Sequence, residues 1–271
     1  MSQLVIRAGL VVCVVFGVAA CGGGEDIEEM TGTDESALDF GLSPTAVEQV
    51  NAADPAAMAD ALATKSDGDA CRTRVKDEEN PNVVHVFLDN CTGRFGRHTK
   101  SGEITVTFSK NEDGTLHADH QSVWLTIDGQ PATRHASADI SFDGDTRHVV
   151  WHGEKSVTRA DGEEVTRVAD HVIDVDKATH CSVVNGTATI TKGDKVVHAE
   201  LVALKTCELA EGGHTCPTGT INATVEGREV QITKSFNGTE TAVIEVVKPK
   251  GTKTEEILIR KIDMRDVSKM K

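Results

Sequence analysis

The sequence predicts an all-β fold, a long antiparallel meander that forms a curved sheet, an open barrel or a sandwich. Stretches such as "EITVTFS" (103–109) and "TATIT" (187–191) alternate apolar and polar residues. This period of two is typical of half-buried strands. Turn-forming pairs such as Asp128-Gly129, Gly193-Asp194 and Asn237-Gly238 recur between the alternating stretches. Such pairs favour hairpins, and their spacing predicts about ten to twelve strands laid side by side.

Residues 1–20 have the features of a secretory signal peptide. Arg7 is their only charged residue, and the apolar stretch from Leu10 to Val18 is too short to span a bilayer. The sequence "VAAC" that ends at Cys21 resembles a bacterial lipobox, in which the cysteine receives lipid and becomes the first residue of the mature chain. We therefore expect Cys21 to be the lipid attachment site, which gives stable membrane anchoring. An ordinary secretory signal is the alternative, because Ala-Ala is also a good cleavage site.

Residues 21–42 are predicted to form a flexible acidic tether. From Gly22 to Thr64 the chain has ten acidic residues and no Lys or Arg. A run of this kind favours solvated, extended chain. No Asp follows Cys21, which favours the outer membrane, with the body facing the periplasm or the cell surface. The acidic residues are Glu25, Asp26, Glu28, Glu29, Asp34, Glu35, Asp39, Glu48, Asp54 and Asp60.

Residues 43–65 are predicted to be a short helical segment. Ser43-Pro44 and Asp54-Pro55 each place an N-cap residue before a proline at the first helical position. The Ala-rich stretch "AAMADALA" follows the second pair. The β-rich domain then occupies residues 66–271, a length that can bury one sizeable core.

Two cysteines near the start of the β-rich domain are expected to form a disulfide. Cys71 and Cys91 are equidistant from Pro81, the centre of the turn signal "NPN". Residues equidistant from a hairpin turn face each other, with Cα atoms close enough for a disulfide. Disulfides are also what an oxidising envelope compartment favours.

A second disulfide is expected further along the chain. Cys181 and Cys207 are equidistant from Asp194, in the turn "KGDK". A bond between Cys207 and Cys216, closing a small loop, competes with this pairing. No Cys-x-x-Cys spacing is present, so a zinc site is the weaker interpretation of these cysteines.

Composition and motifs exclude several classes of function. The formal charge is −15 and aromatic residues make up 3% of the chain, with no clustered basic run, so no nucleic-acid partner is expected. No motif of a known nucleophile, phosphate-binding loop or metalloprotease occurs. The sequence therefore predicts no catalytic residue, no metal and no cofactor.

The histidines offer an alternative. Reflection through successive turns places His120, Ser137, His152 and His171 in one row across four strands. In that register His120, His152 and His171 form a cluster suited to a hydrolase or to metal binding. A slip of one residue between strands moves a histidine to the other face.

One stretch resembles a known group of proteins. "DNCTGRFGRHTKSGEITVTFS" (89–109), with Cys91-Thr92-Gly93, Gly96-Arg97 and Ser101-Gly102, is similar to a family of uncharacterised β-rich bacterial cell-envelope lipoproteins. Cys216-Pro217 and Asn237-Gly238-Thr239 also fit that group, over about residues 70–247. The resemblance implies a β-rich envelope domain and no known activity.

We therefore expect a lipid-anchored cell-envelope protein whose β-rich domain is non-catalytic and has a structural or binding role. Its expected partners are the membrane, through the lipid anchor, and an envelope polymer, a protein or a small apolar ligand. A hydrolase or metal-binding protein that uses the histidine cluster is the alternative.

Overall fold

The computed structural model describes residues 54–64, 71–92, 99–207, 215–239, 241–249 and 251–258. The predicted signal peptide, the acidic tether with Cys21 and the helix expected after Ser43 lie outside these residues. One helix and thirteen strands follow in chain order. They are α1 (Pro55–Thr64), β1 (Arg72–Lys76), β2 (Val83–Thr92), β3 (Thr99–Lys110), β4 (Leu116–Ile127), β5 (Gln130–Asp143), β6 (Thr146–Thr158), β7 (Glu164–Asp176), β8 (Cys181–Lys192), β9 (Lys195–Cys207), β10 (Thr218–Val225), β11 (Gln231–Asn237), β12 (Thr241–Lys248) and β13 (Gly251–Leu258).

Helix α1 begins as its sequence predicts. The carboxylate of Asp54 accepts hydrogen bonds from the backbone N–H groups of Ala56 and Ala57, at 3.0 and 3.3 Å, which caps the helix ahead of Pro55. Met58, fully buried, belongs to the face of the helix that packs on the first three strands. Among the described residues, no helix is long and apolar enough to cross a membrane.

The strands confirm the predicted all-β meander. Each strand pairs antiparallel with the strand before and after it, so all thirteen belong to one sheet in chain order. Among the described strands the sheet is not closed, because β1 pairs only with β2 and β13 pairs only with β12. The strand number slightly exceeds the prediction. Register shifts place bulges in β2, β4 and β9, and bulges bend a sheet.

Local turn chemistry sets the hairpins. Between β4 and β5 the turn is Asp128-Gly129, with φ angles of 53° and 77°. Two successive positive φ angles are those of the two-residue turn that Asp-Gly favours. The Asp128 carboxylate also accepts the N–H of Thr99 at 2.7 Å, which ties this turn to β3.

The Cys71–Cys91 disulfide is confirmed, with a Cα–Cα distance of 5.2 Å. The hairpin is centred one residue earlier than predicted, on Asn80, so that Cys71 lies opposite Asp89. The Asp89 N–H donates a hydrogen bond to the carbonyl oxygen of Cys71 at 2.8 Å. Asn90 has a φ of 51° within a bulge of β2, and this carries Cys91 back to its partner. The bond therefore joins a diagonal pair rather than a directly opposed one.

The Cys181–Cys207 disulfide is also confirmed, and these two residues are directly opposed across β8 and β9. A bulge beside Asn185 adjusts the register by one residue, and the Asn185 side chain accepts the N–H of Ala203 at 2.8 Å there. The competing Cys207–Cys216 bond does not form. Among the described cysteines, Cys216 is the one with a free thiol.

Candidate functional site

The two faces of the sheet differ sharply in character. The inner face carries the buried apolar side chains and includes the row Val106, His120, Ala136, Gly153 and Ala169 on β3 to β7. The outer face carries the alternate positions. One row of that face crosses six strands, and it consists of Asp119, Ser137, His152, Asp170, Thr187 and Glu200.

The register separates the predicted histidine cluster. His120 lies opposite Ala136 rather than Ser137, and it belongs to the inner face. His171 is also on the inner face, 1% exposed, with its ring centroid 5.2 Å from that of Trp151. His152 lies on the outer face. The prediction of one shared row is therefore wrong.

Two local features place these histidines one residue away from their predicted register. The hairpin between β6 and β7 has a five-residue turn centred on Asp161, whereas the prediction centred it between Asp161 and Gly162. The bulge near the end of β4 shifts the pairing of β4 with β5 by one residue, so His120 moves away from Ser137. Because side chains alternate between faces, each one-residue change reverses the assignment.

Four histidines of the outer face lie in cross-strand pairs with Asp carboxylates. In each pair an imidazole nitrogen is within hydrogen-bond distance of a carboxylate oxygen. Exposed pairs of this kind contribute little stability, about 0–1 kcal/mol each. The pairs are His148–Asp174 (2.6 Å), His152–Asp170 (2.7 Å), His117–Asp139 (2.8 Å) and His135–Asp119 (3.0 Å).

His85 makes two such contacts. Its Nε2 lies 3.0 Å from Asp77 and its Nδ1 lies 3.1 Å from Glu103. The hydrogen bond to Asp77 and, to a smaller extent, the hydrogen bond to Glu103 raise the pKa of His85 above its ordinary value of 6.5. The same hydrogen bond lowers the pKa of Asp77. His85 is therefore suited to an ion pair that joins β2, β3 and the first turn, and its contribution to stability is lost as the pH rises through the raised pKa.

One arrangement on the outer face approaches a nucleophile, base and orienting carboxylate. The Thr189 hydroxyl lies 3.2 Å from Nδ1 of His198, and the other ring nitrogen lies 3.8 Å from Glu226. The second distance is too long for a hydrogen bond, so the carboxylate does not fix the ring. His198 and Glu226 are more than half exposed, which leaves the group in water rather than in a cleft. Sequence reasoning missed this set because its members come from three separate segments.

Most Lys and Arg residues of the described strands lie on the inner face, although Lys205 on β9 is exposed on the outer face. Arg134, Lys155 and Arg167 lie directly opposite one another on β5, β6 and β7. Arg147 and Lys234 share this face, and they are 5% and 3% exposed. These basic residues are far apart in the sequence, which has no basic run, and they come together only when the strands pair.

The carboxylates of the strands have a different distribution between the two faces. The strand carboxylates with described side chains belong to the outer face instead, as Asp119, Asp170 and Glu200 illustrate. The fold thus sorts charge by face. Within the described residues, no group of three or more His, Cys, Asp or Glu side chains is placed to hold a metal ion.

Comparison with known proteins returned no similar protein: no family model matches the sequence, and neither a curated protein nor a solved structure matches it.

Proposed function

We propose that this chain is a lipid-anchored protein of a bacterial cell envelope, and that its sheet is a non-catalytic docking module for a basic polypeptide. The observation that carries the proposal is the sorting of charge between the two faces. Acidic residues and cations alternate along the strands, so the acidic side chains lie together on one exposed surface. A cationic partner can contact several of them at once.

The anchor follows from the signal sequence and from Cys21. With Cys21 changed to Ser, no thiol remains for the lipid, so the protein should leave the membrane fraction and no longer incorporate a fatty-acid probe. Changing Cys216 to Ser, at a cysteine outside the disulfides, is the matched control and should leave the protein membrane-bound. Membrane retention and labelling of the Cys21→Ser protein would falsify the anchor.

The outer face combines charge with exposed apolar surface. Val150, Val168 and Val202 lie on this face and are 49%, 37% and 40% exposed. Protein interfaces join apolar contacts with charges that set orientation and association rate. An extended basic segment that crosses the strands would contact the row from Asp119 to Glu200. The exposed valines lie on either side of this row. The histidine alternative is not favoured, because the register separates its members.

The docking proposal is tested with a basic probe. The mature chain should bind fluorescent poly-L-lysine at low salt, and the triple variant Asp119→Asn, Asp170→Asn, Glu200→Gln should bind it about tenfold more weakly. Fluorescence anisotropy measures both affinities.

A matched control separates the face from the net charge. Asp161→Asn, Asp194→Asn and Glu229→Gln remove the same charge from exposed turn and loop residues. This control should retain most of the wild-type affinity. An equal loss in both triple variants would mean that the probe responds to total charge, and the docking face would be rejected.

A further inference from the structure

The outer face has a second row of side chains, separate from the row that runs from Asp119 to Glu200. On β2, β3 and β4 this second row consists of Phe87, Glu103 and Trp124, which lie opposite one another in the strand pairing. Among the Phe and Trp side chains that the structure describes, Phe87 and Trp124 are the exposed ones, at 39% and 53%. Exposed aromatic rings that share one part of a surface are typical of a binding site.

A bulge in β4 brings Trp124 to the surface. The pairing of β4 with β3 passes over Val123, which is the additional residue of the bulge. The Ser122 hydroxyl accepts a hydrogen bond from the backbone N–H of Arg134 at 2.9 Å, and this bond holds the bulge against β5. Val123 is itself 61% exposed, so it adds aliphatic surface next to the indole in sequence. Bulges of this kind change the direction of a side chain and are frequent beside functional sites.

The ring of Phe87 is supported from its own strand. The imidazole of His85 lies two residues earlier on the same face, with 6.4 Å between the ring centroids and 24° between the ring planes. His85 is in turn fixed by its contacts with Asp77 at 3.0 Å and with Glu103 at 3.1 Å. A ligand that stacks on Phe87 therefore meets a ring whose orientation is already set, which lowers the entropic cost of binding.

Hydrogen-bonding groups lie between the two rings and beyond them. Glu103 is between the rings, and a carboxylate can accept several hydrogen bonds, so its contact with His85 leaves it able to accept more. Hydroxyl groups continue the row on the next four strands. The first of them, on Thr133, lies beside Trp124 in the pairing of β4 with β5 and is 2.8 Å from the hydroxyl of Ser156. These hydroxyl residues are Thr133, Ser156, Thr166 and Thr191.

This combination of groups is suited to a sugar chain. Each ring of a β-linked glycan presents C–H bonds on its two flat faces, and these bonds are attracted to the electron-rich face of an aromatic ring. The hydroxyl groups of the sugar lie at the ring edges, where carboxylate and hydroxyl side chains can bond to them. Phe87 and Trp124 are two strands apart, or about 10 Å at about 4.8 Å per strand, which is close to the length of a disaccharide unit.

The carboxylate between the rings also distinguishes a sugar chain from a lipid surface. A membrane that received both rings would also cover Glu103, and placing a carboxylate against acyl chains is costly. A glycan leaves the same carboxylate hydrogen-bonded to sugar hydroxyls and in contact with water.

We propose that the aromatic row, which we define as Phe87, Glu103, Trp124 and Thr133, binds a linear β-linked glycan whose sugar rings stack on Phe87 and Trp124. This inference goes beyond the docking of a basic polypeptide and does not depend on it. On β5 the two rows are represented by Thr133 and Ser137, which are about 13 Å apart along the strand, so the two ligands contact different side chains.

Calorimetric titration with a defined sugar chain tests the proposal. The full mature chain should bind the β-linked hexamer of N-acetylglucosamine with a Kd of about 1 mM or tighter, and Trp124→Ala and Phe87→Ala should each weaken binding about tenfold. Val243→Ala is the matched control, because Val243 has the same exposure as Phe87, 39%, and lies far away on β12. This control should retain the wild-type affinity. The α-linked hexamer maltohexaose coils and should bind at least about tenfold more weakly.

Several results would overturn the proposal. These are the absence of saturable binding to the N-acetylglucosamine hexamer, equal affinities in Trp124→Ala, Phe87→Ala and Val243→Ala, and equal binding of maltohexaose. Binding to phosphatidylcholine vesicles in place of the hexamer, lost in Trp124→Ala, would assign the rings to a membrane surface and reject the glycan. Trp124→Ala and Phe87→Ala should bind poly-L-lysine as the wild type does, so failure of the glycan site and failure of the docking face are recognised separately.

Discussion

Replacing Trp151 with Ala should lower the free energy of unfolding by about 3–5 kcal/mol. The indole is 3% exposed and lies on the inner face of β6. Its six-membered ring occupies the space over Gly153, where a Cβ built on the glycine would come within 2.2 Å of the ring. Small neighbours at Ala136 and Ala169 leave little that can collapse into the space the indole vacates. The loss therefore combines the transfer energy of the ring with the energy of a cavity.

Urea denaturation followed by circular dichroism measures this change, and the second tryptophan supplies the control. Trp124 lies at the bulge of β4 and is 53% exposed, so Trp124→Ala should change stability by less than about 0.5 kcal/mol. Similar losses in the two variants would contradict the assignment of Trp151 to the core.

Replacing Gly186 with Ala should cost about 3 kcal/mol. Gly186 has a φ of 153°, and a Cβ there would lie 2.1 Å from the carbonyl oxygen of Asp170 and 2.8 Å from the Cα of His171. Both atoms belong to the backbone of the neighbouring strand β7, so no side-chain rotation relieves the contact. β7 and β8 must therefore separate at the centre of the sheet. This separation adds to the ordinary energetic cost of overpacking and of a strained backbone.

Gly129→Ala isolates the cost of backbone conformation alone. Gly129 has a φ of 77°, and nothing lies within 4 Å of the position its Cβ would take. This substitution should cost about 1–2 kcal/mol. Thermal unfolding of the two variants under identical conditions gives the difference. Equal losses of stability in Gly129→Ala and Gly186→Ala would contradict the prediction. They would show that the close approach of β7 and β8 is not the reason for a glycine at position 186.

The fold was predictable because its connections are local. Asp128-Gly129 and Gly193-Asp194 specify tight turns by their own conformational preferences, and the alternating strands between them leave few other pairings. The Cys181–Cys207 disulfide was also predicted, although the turn is centred between Gly193 and Asp194 and the bulge beside Asn185 is what brings the two cysteines opposite each other. Where the pairing depends on a bulge or on a longer turn, as between β6 and β7, counting from the turn fails by one residue.

The charged surfaces were harder to predict for a related reason. Arg134, Lys155 and Arg167 are separated by more than ten residues each, so no window of sequence contains a basic cluster. They meet only when three strands pair in one register. The same applies to Thr189, His198 and Glu226. A site assembled across strands becomes visible in sequence only when every intervening turn and bulge is counted correctly.

The strict order of the strands has a consequence for how the protein folds. Each strand pairs only with its immediate predecessor and successor, so nearly every sheet contact closes a loop of a few to a few tens of residues. For an all-β protein this is a low contact order, and it favours rapid folding in which any single hairpin serves as a nucleus and neighbours add one by one. Stability then accumulates from nearest-neighbour interfaces, as in repeat proteins. Among the described strands, β13 has one interface and no disulfide, so it should detach first, while the disulfides hold together the pairs β1–β2 and β8–β9.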